Sequence, residues 1–78
     1  MVYCRLISDD GKLIRYAIGS VYSDITGEMV FDRTTNSFEI TKQPEKEPVY
    51  EYFVETMLRR HLDVLKEGKA PEKMSYEI

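Results

Sequence analysis

The sequence predicts an α+β domain: a four-stranded antiparallel β-meander with one C-terminal helix packed on one face, in the order ββββα, and a tail able to add a short fifth strand. Three observations carry this expectation. Seventy-eight residues can enclose one core and no second. Apolar residues alternate with period two through the first two-thirds of the chain. In the last third they recur at helical spacing. The single domain is assigned to residues 1–68 and the tail to 69–78.

The elements follow in chain order. "VYCRLIS" (2–8) and "LIRYAIGSVY" (13–22) flank the turn "DDGK". A two-residue Asp10-Gly11 turn would mix polar and apolar residues on both faces. A three-residue Asp9-Asp10-Gly11 loop, with Gly11 at φ > 0, pairs Leu6 with Ile14, Cys4 with Tyr16 and Val2 with Ile18. All six then share one face, so this register is preferred. "GEMVFDR" (27–33) turns Met29 and Phe31 inward, and "SFEIT" (37–41) adds Phe38 and Ile40. "SDIT" (23–26) joins the second and third strands, and "RTTN" joins the third and fourth, with Asn36 suited to a left-handed turn position.

"KQPEKEP" (42–48) breaks from sheet to helix. Pro48 suits a first helical turn, and Gly68 followed by Pro71 marks a stop, so the helix is expected from Pro48 to Glu67. Tyr50, Phe53, Val54, Met57, Leu58, His61, Val64 and Leu65 fall on one face, with Leu62 at its margin. Glu55, Arg59, Asp63 and Lys66 form a charge-balanced outer face, while Arg60 sits at the edge of the apolar stripe.

Composition narrows the function. The chain is 42% hydrophobic and 32% charged, which is the balance of a folded protein. No apolar run reaches the length of a membrane helix, and "MVYCRLISDD" lacks the charged start and apolar centre of a signal peptide; a cytoplasmic location without membrane contact is expected. A net charge of −3, with the two signs interspersed, disfavours nonspecific attraction to phosphate backbones.

Few side chains suggest chemistry. Cys4 alternates with Val2 and Leu6, so it reads as a buried small hydrophobe. His61, the only histidine, lies in the apolar stripe; it has no companion ligands and is singled out as the pH-sensitive candidate. A Cys4–His61 dyad lacks an orienting residue and a glycine-rich oxyanion loop. The four glycines are wrongly spaced for a phosphate-binding loop, and "SDDGK" lacks the acidic spacing of a calcium loop. No catalytic, cofactor-binding or metal-ligating residue is assigned, and no enzymatic activity is expected.

The surfaces left over are more informative. One helix covers one side of the sheet. The other carries Tyr3, Ile7, Leu13, Ala17 and Val30 among Arg5, Arg15, Glu28, Asp32 and Glu39. In the preferred register Arg5 and Arg15 oppose each other, with Glu28 or Asp32 diagonally placed to compensate. In the tail, Met74, Tyr76 and Ile78 alternate as in a strand that can join its own sheet or that of a second copy. The expected function is a small interaction or regulatory module, homodimeric or bound to a small protein partner. Its expected interface is Tyr3, Arg5, Ile7, Leu13, Arg15, Val30, Met74, Tyr76 and Ile78. The alternative is a nucleic-acid-binding module using Tyr3, Arg5 and Arg15 for stacking and phosphate contact.

Overall fold

In the computed structural model, which describes residues 1–77, the chain is an α+β fold built on one antiparallel sheet. Its strands are β1 (Val2–Asp9), β2 (Leu13–Gly19), β3 (Gly27–Asp32), β4 (Ser37–Lys42) and β5 (Lys73–Tyr76), in the spatial order β4-β3-β2-β1-β5. Two helical segments, α1 (Glu51–Arg60) and α2 (Leu62–Lys66), pack on one face. No helix among the described residues is long and apolar enough to cross a membrane. The alternation in the first three strands sends Val2, Cys4, Ile14, Tyr16, Ile18, Met29 and Phe31 into the core. From the other side Val54, Met57, Leu58 and Leu65 meet them, and Phe38 and Ile40 pack against the rim.

The faces match the expectation, but the first register differs. Cys4 pairs with Ile18 and Leu6 with Tyr16, a slide of two residues. A bulge at Ile7 then shifts the pairing, so Ser8 faces Arg15 and Asp9 faces Ile14. The turn explains the slide. The Asp10 carboxylate accepts the N–H groups of Lys12 and Leu13 (2.9 and 2.7 Å), Asp9 accepts that of Gly11 (2.9 Å), and Gly11 takes φ 97°. The chain therefore reverses one residue later than expected. Asn36, at φ 53°, occupies the left-handed position expected of it.

Strand β2 ends at Gly19 rather than Tyr22, and residues Tyr22–Asp24 form a single 3-10 turn. At Gly19 any Cβ would collide with the Asp24 carbonyl, so only glycine lets the chain fold back here. Asp24 is buried, and its carboxylate accepts the Thr26 hydroxyl (2.9 Å) and the N–H groups of Lys46 and Glu47 (2.9 and 3.1 Å). Thr26 in turn accepts the N–H of Glu45 (2.8 Å). A carboxylate with this many donors is fully satisfied despite its burial. It pins the 43–50 loop beside the sheet end.

That loop is longer than expected, because the helix starts at Glu51 and not Pro48. The Gln43 side-chain amide bonds both the N–H and the C=O of Val49 (2.8 and 3.1 Å), which holds Val49 in the core and keeps Pro48 outside the helix. Tyr50, expected in the core, is 63% exposed. The helix also breaks at His61, where φ is −111° and ψ 10°. The His61 ring Nδ1–H donates to the Met57 carbonyl (2.8 Å), and the His61 backbone N–H reaches Leu58 instead (3.1 Å). The ring takes the acceptor that the helix would have used, so the last turn reorients. Leu65 stays inward, while Val64, expected inward, is 45% exposed.

The tail completes the sheet. Strand β5 runs antiparallel to β1, pairing Tyr76 with Val2, Met74 with Cys4 and Lys73 with Arg5. The Leu6 N–H donates to Glu72 (2.8 Å), and the buried Tyr16 hydroxyl donates to the Pro71 carbonyl (2.8 Å). Of the two fates open to the tail, this one covers the edge of the chain's own sheet. Ile78 lies outside the described residues. Tyr16→Phe is expected to lose about 1 kcal/mol, the worth of one hydrogen bond. Met74→Ala should lose about 2–4 kcal/mol through its core cavity. Urea unfolding of both variants checks this; an unchanged midpoint for Met74→Ala would show that β5 is not docked.

Candidate functional site

The face of the sheet opposite the helices carries no covering layer among the described residues. Alternation puts Tyr3, Arg5, Leu13, Arg15, Ala17, Val30, Asp32 and Glu39 there, and the bulge at Ile7 turns that side chain out to 54% exposure. Tyr3, Leu13, Ala17 and Val30 are half-buried by their neighbours. Leu13, Val30, Asp32, Ser37 and Glu39 line a shallow depression of about 340 Å³ on this face.

Its charges are arranged differently from the expectation. The two-residue slide separates Arg5 from Arg15: Arg5 pairs with Ala17 on one side and Lys73 on the other, and Arg15 faces Ser8 and Val30. The like-charge contact therefore involves Arg5 and Lys73. Arg15 is compensated diagonally by Glu28, at 2.7 Å. Tyr3 packs against Tyr22, ring centroids 4.6 Å apart, and Tyr22 is 69% exposed. Arg5, Lys73, Tyr3 and Tyr22 line one shallow pocket of about 210 Å³. Sequence reasoning missed Tyr22, which read as strand, and Lys73. The alternation of "KMSYE" around Met74 holds the signal for Lys73.

Not every expected interface residue lies on this face. Met74 is 4% exposed and belongs to the core, because β5 docks on its own sheet. Tyr76 points to the helix side, stacked on Phe53 (5.8 Å) beneath the Arg60 guanidinium (4.8 Å). Tyr3, Arg5, Ile7, Leu13, Arg15 and Val30 remain together.

Cys4 and His61 line that same 210 Å³ pocket, and both are held structurally. The Cys4 thiol is buried against the Met57 sulfur (3.6 Å), and burial pushes it up to about 12, so the thiolate is scarce at neutral pH. His61 is half-buried, tied to Met57 through its ring. Among the described residues no group of three or more His, Cys, Asp or Glu side chains is placed to hold a metal ion. No protein-family model matches the sequence, and comparison with curated proteins and with solved structures finds no match.

One polar cluster locks the far end of the domain. Arg33, from the β3–β4 turn, makes a bidentate pair with Asp9 (2.5 and 2.8 Å) and donates through Nε to the Leu65 carbonyl of α2 (2.8 Å). The Arg33 hydrogen bonds, chiefly, and the Gly11 N–H hold the Asp9 carboxyl down at about 2. Burial raises the Asp24 carboxyl, but donors from Lys46, Thr26 and Glu47 outweigh this and leave it below the ordinary carboxylate range. Both groups have depressed values in the folded state, so their stabilisation is present above about pH 4 and is lost as pH falls towards 2. Arg33→Met is expected to lose about 2 kcal/mol at pH 7 and to flatten this acid limb. Urea midpoints measured from pH 7 to pH 2 decide it; an unaltered slope contradicts the assignment.

Proposed function

We propose that the protein is a small cytosolic interaction module whose recognition surface is the uncovered sheet face, with no catalysis of its own. The observation that carries this reading is a sheet face, opposite the helices, on which Ile7, Leu13, Ala17 and Val30 are interspersed with Arg5, Arg15, Glu28 and Asp32. Protein interfaces mix apolar and aromatic residues with arginine in this way. A folded protein surface, flat and mixed in the same way, is the complement such a face fits. The buried, protonated Cys4 and the ring-anchored His61 support a structural role for the two most reactive side chains.

A second reading has one specific observation behind it. Tyr3 and Tyr22 lie beside Arg5 and Lys73, two aromatic rings and two cations on one shallow pocket, the elements of a single-strand nucleic-acid platform. The overall charge of −3 and the carboxylates on β3 weigh against it.

A photoreactive residue introduced at Leu13, irradiated in cells producing the protein, is expected to yield a protein adduct. The same residue at Arg59, on the back of the helix, should yield none. No adduct at Leu13, together with salt-sensitive binding of single-stranded oligonucleotides, would replace the leading reading with the second.

A further inference from the structure

We propose that the free edge of β4 takes up an extended segment of another protein as a sixth strand, one with apolar, basic and apolar residues in succession. Strand β4 is one margin of the sheet. Hydrogen-bond parity fixes which of its backbone groups are free. The Arg33 N–H donates to the Lys12 carbonyl (2.9 Å), so by alternation Ile14–Phe31 and Tyr16–Met29 are hydrogen-bonded pairs. Strand β3 therefore turns the backbone groups of Val30 and Asp32 towards β4, where they meet Glu39 and Ser37. The N–H and C=O groups of Phe38 and Ile40 point the other way, off the edge of the sheet. A strand is the complement that satisfies such a row.

The side chains beside this edge set the pattern of the segment. Phe31, Phe38, Leu58 and Leu62 line a groove of about 340 Å³ between β4 and the helices. Its rim carries Glu55 and Arg59, which neutralise each other at 2.7 Å. Phe38 and Ile40 are only half-buried. An added antiparallel strand places residues opposite Phe38, Glu39 and Ile40, and opposite residues share a face. The first and third therefore enter on the helix side, where Phe38, Ile40 and the groove call for apolar side chains. The middle one lies against Glu39, which is exposed and has no ion-pair partner among the described residues. A lysine or arginine fits there. The other margin differs: β5 has four residues, and its Tyr76 is already stacked on Phe53 beneath Arg60.

A second copy of β4 does not fit this edge. A two-fold normal to the sheet can pair Phe38 with Ile40 only by setting Glu39 directly opposite its own counterpart, at the closer, non-hydrogen-bonded spacing. An axis through Ile40 needs Phe38 to pair with Lys42, whose backbone groups the bulge turns towards Glu28. An axis through Phe38 needs Asn36, which lies in the turn at φ 53°.

The experiment is selection of random displayed heptapeptides on the full chain, then synthesis of the enriched peptide and amide exchange read by NMR. Enriched peptides are expected to carry the apolar–basic–apolar core. At roughly ten times its Kd the peptide should slow exchange at Phe38 and Ile40 by about tenfold. Methylating the peptide nitrogens of its two apolar residues should abolish binding, because those N–H groups meet the Phe38 and Ile40 carbonyls. Glu39→Lys, at an exposed position, should shift the preference at the middle residue from lysine to glutamate by up to about fivefold. Peptides that bind as well after this methylation, or that leave the Phe38 and Ile40 amides unprotected, overturn the strand addition. Selection that enriches no sequence overturns it too. Protection of these amides that grows with protein concentration alone would put a second copy on the edge and overturn the choice of occupant. Each of these results leaves the open-face reading to its own test at Leu13.

Discussion

One short helical layer can cover one face of a five-stranded sheet, and the architecture follows from that constraint. The ten residues of α1 and five of α2 supply Val54, Met57, Leu58 and Leu65, enough to seal the side that carries Tyr16, Ile18, Met29 and Phe31. In so small a chain the burial on that side must be nearly complete, because little other apolar contact offsets the entropy of folding. The tail strand serves this need twice. It delivers Met74 to the core and gives β1 a partner, while the Tyr16 hydroxyl finds its acceptor in Pro71.

Holding a layer this short in place falls to polar clamps at the two ends of the sheet. At one end Asp24 gathers the amides of Lys46 and Glu47 and fixes the loop from which α1 departs. At the other, Arg33 joins the β1–β2 turn, through Asp9, to the last turn of α2, through the Leu65 carbonyl. Both clamps use an acidic group with depressed protonation, so the same interactions that position the helix make the fold sensitive to acid. His61 sits between them as a bend, its ring substituting for a backbone donor at Met57.

The residues that belong to each face were legible in the sequence, because side-chain direction in a strand depends only on parity. The sequence alone therefore groups Tyr3, Arg5, Leu13, Arg15 and Val30 on one face. Register was not legible for the same reason: sliding β1 by two residues along β2 leaves every face unchanged, and only the Asp10 turn and the Ile7 bulge choose between the alternatives. The clamps were hidden because Asp24 and Arg33 lie in segments whose polarity is already explained by turns. The break at His61 was hidden because a ring bonded to a carbonyl four residues back leaves the apolar spacing intact. Met74 and Tyr76 read as interface in the sequence because alternation shows that a tail is strand-like without showing whose sheet it joins.

The central claim is that the face opposite the helix is one the protein uses. Solvent paramagnetic relaxation, read on side-chain methyl protons of the labelled protein in dilute buffer and in a concentrated lysate of the cells that produce it, tests it most directly. Relaxation is expected to fall in the lysate for Ile7, Leu13, Ala17 and Val30, and to stay constant for Val64 on the helix side. Unchanged relaxation across the sheet face, or protection appearing instead at Leu62 in the groove beside Phe38, would contradict it.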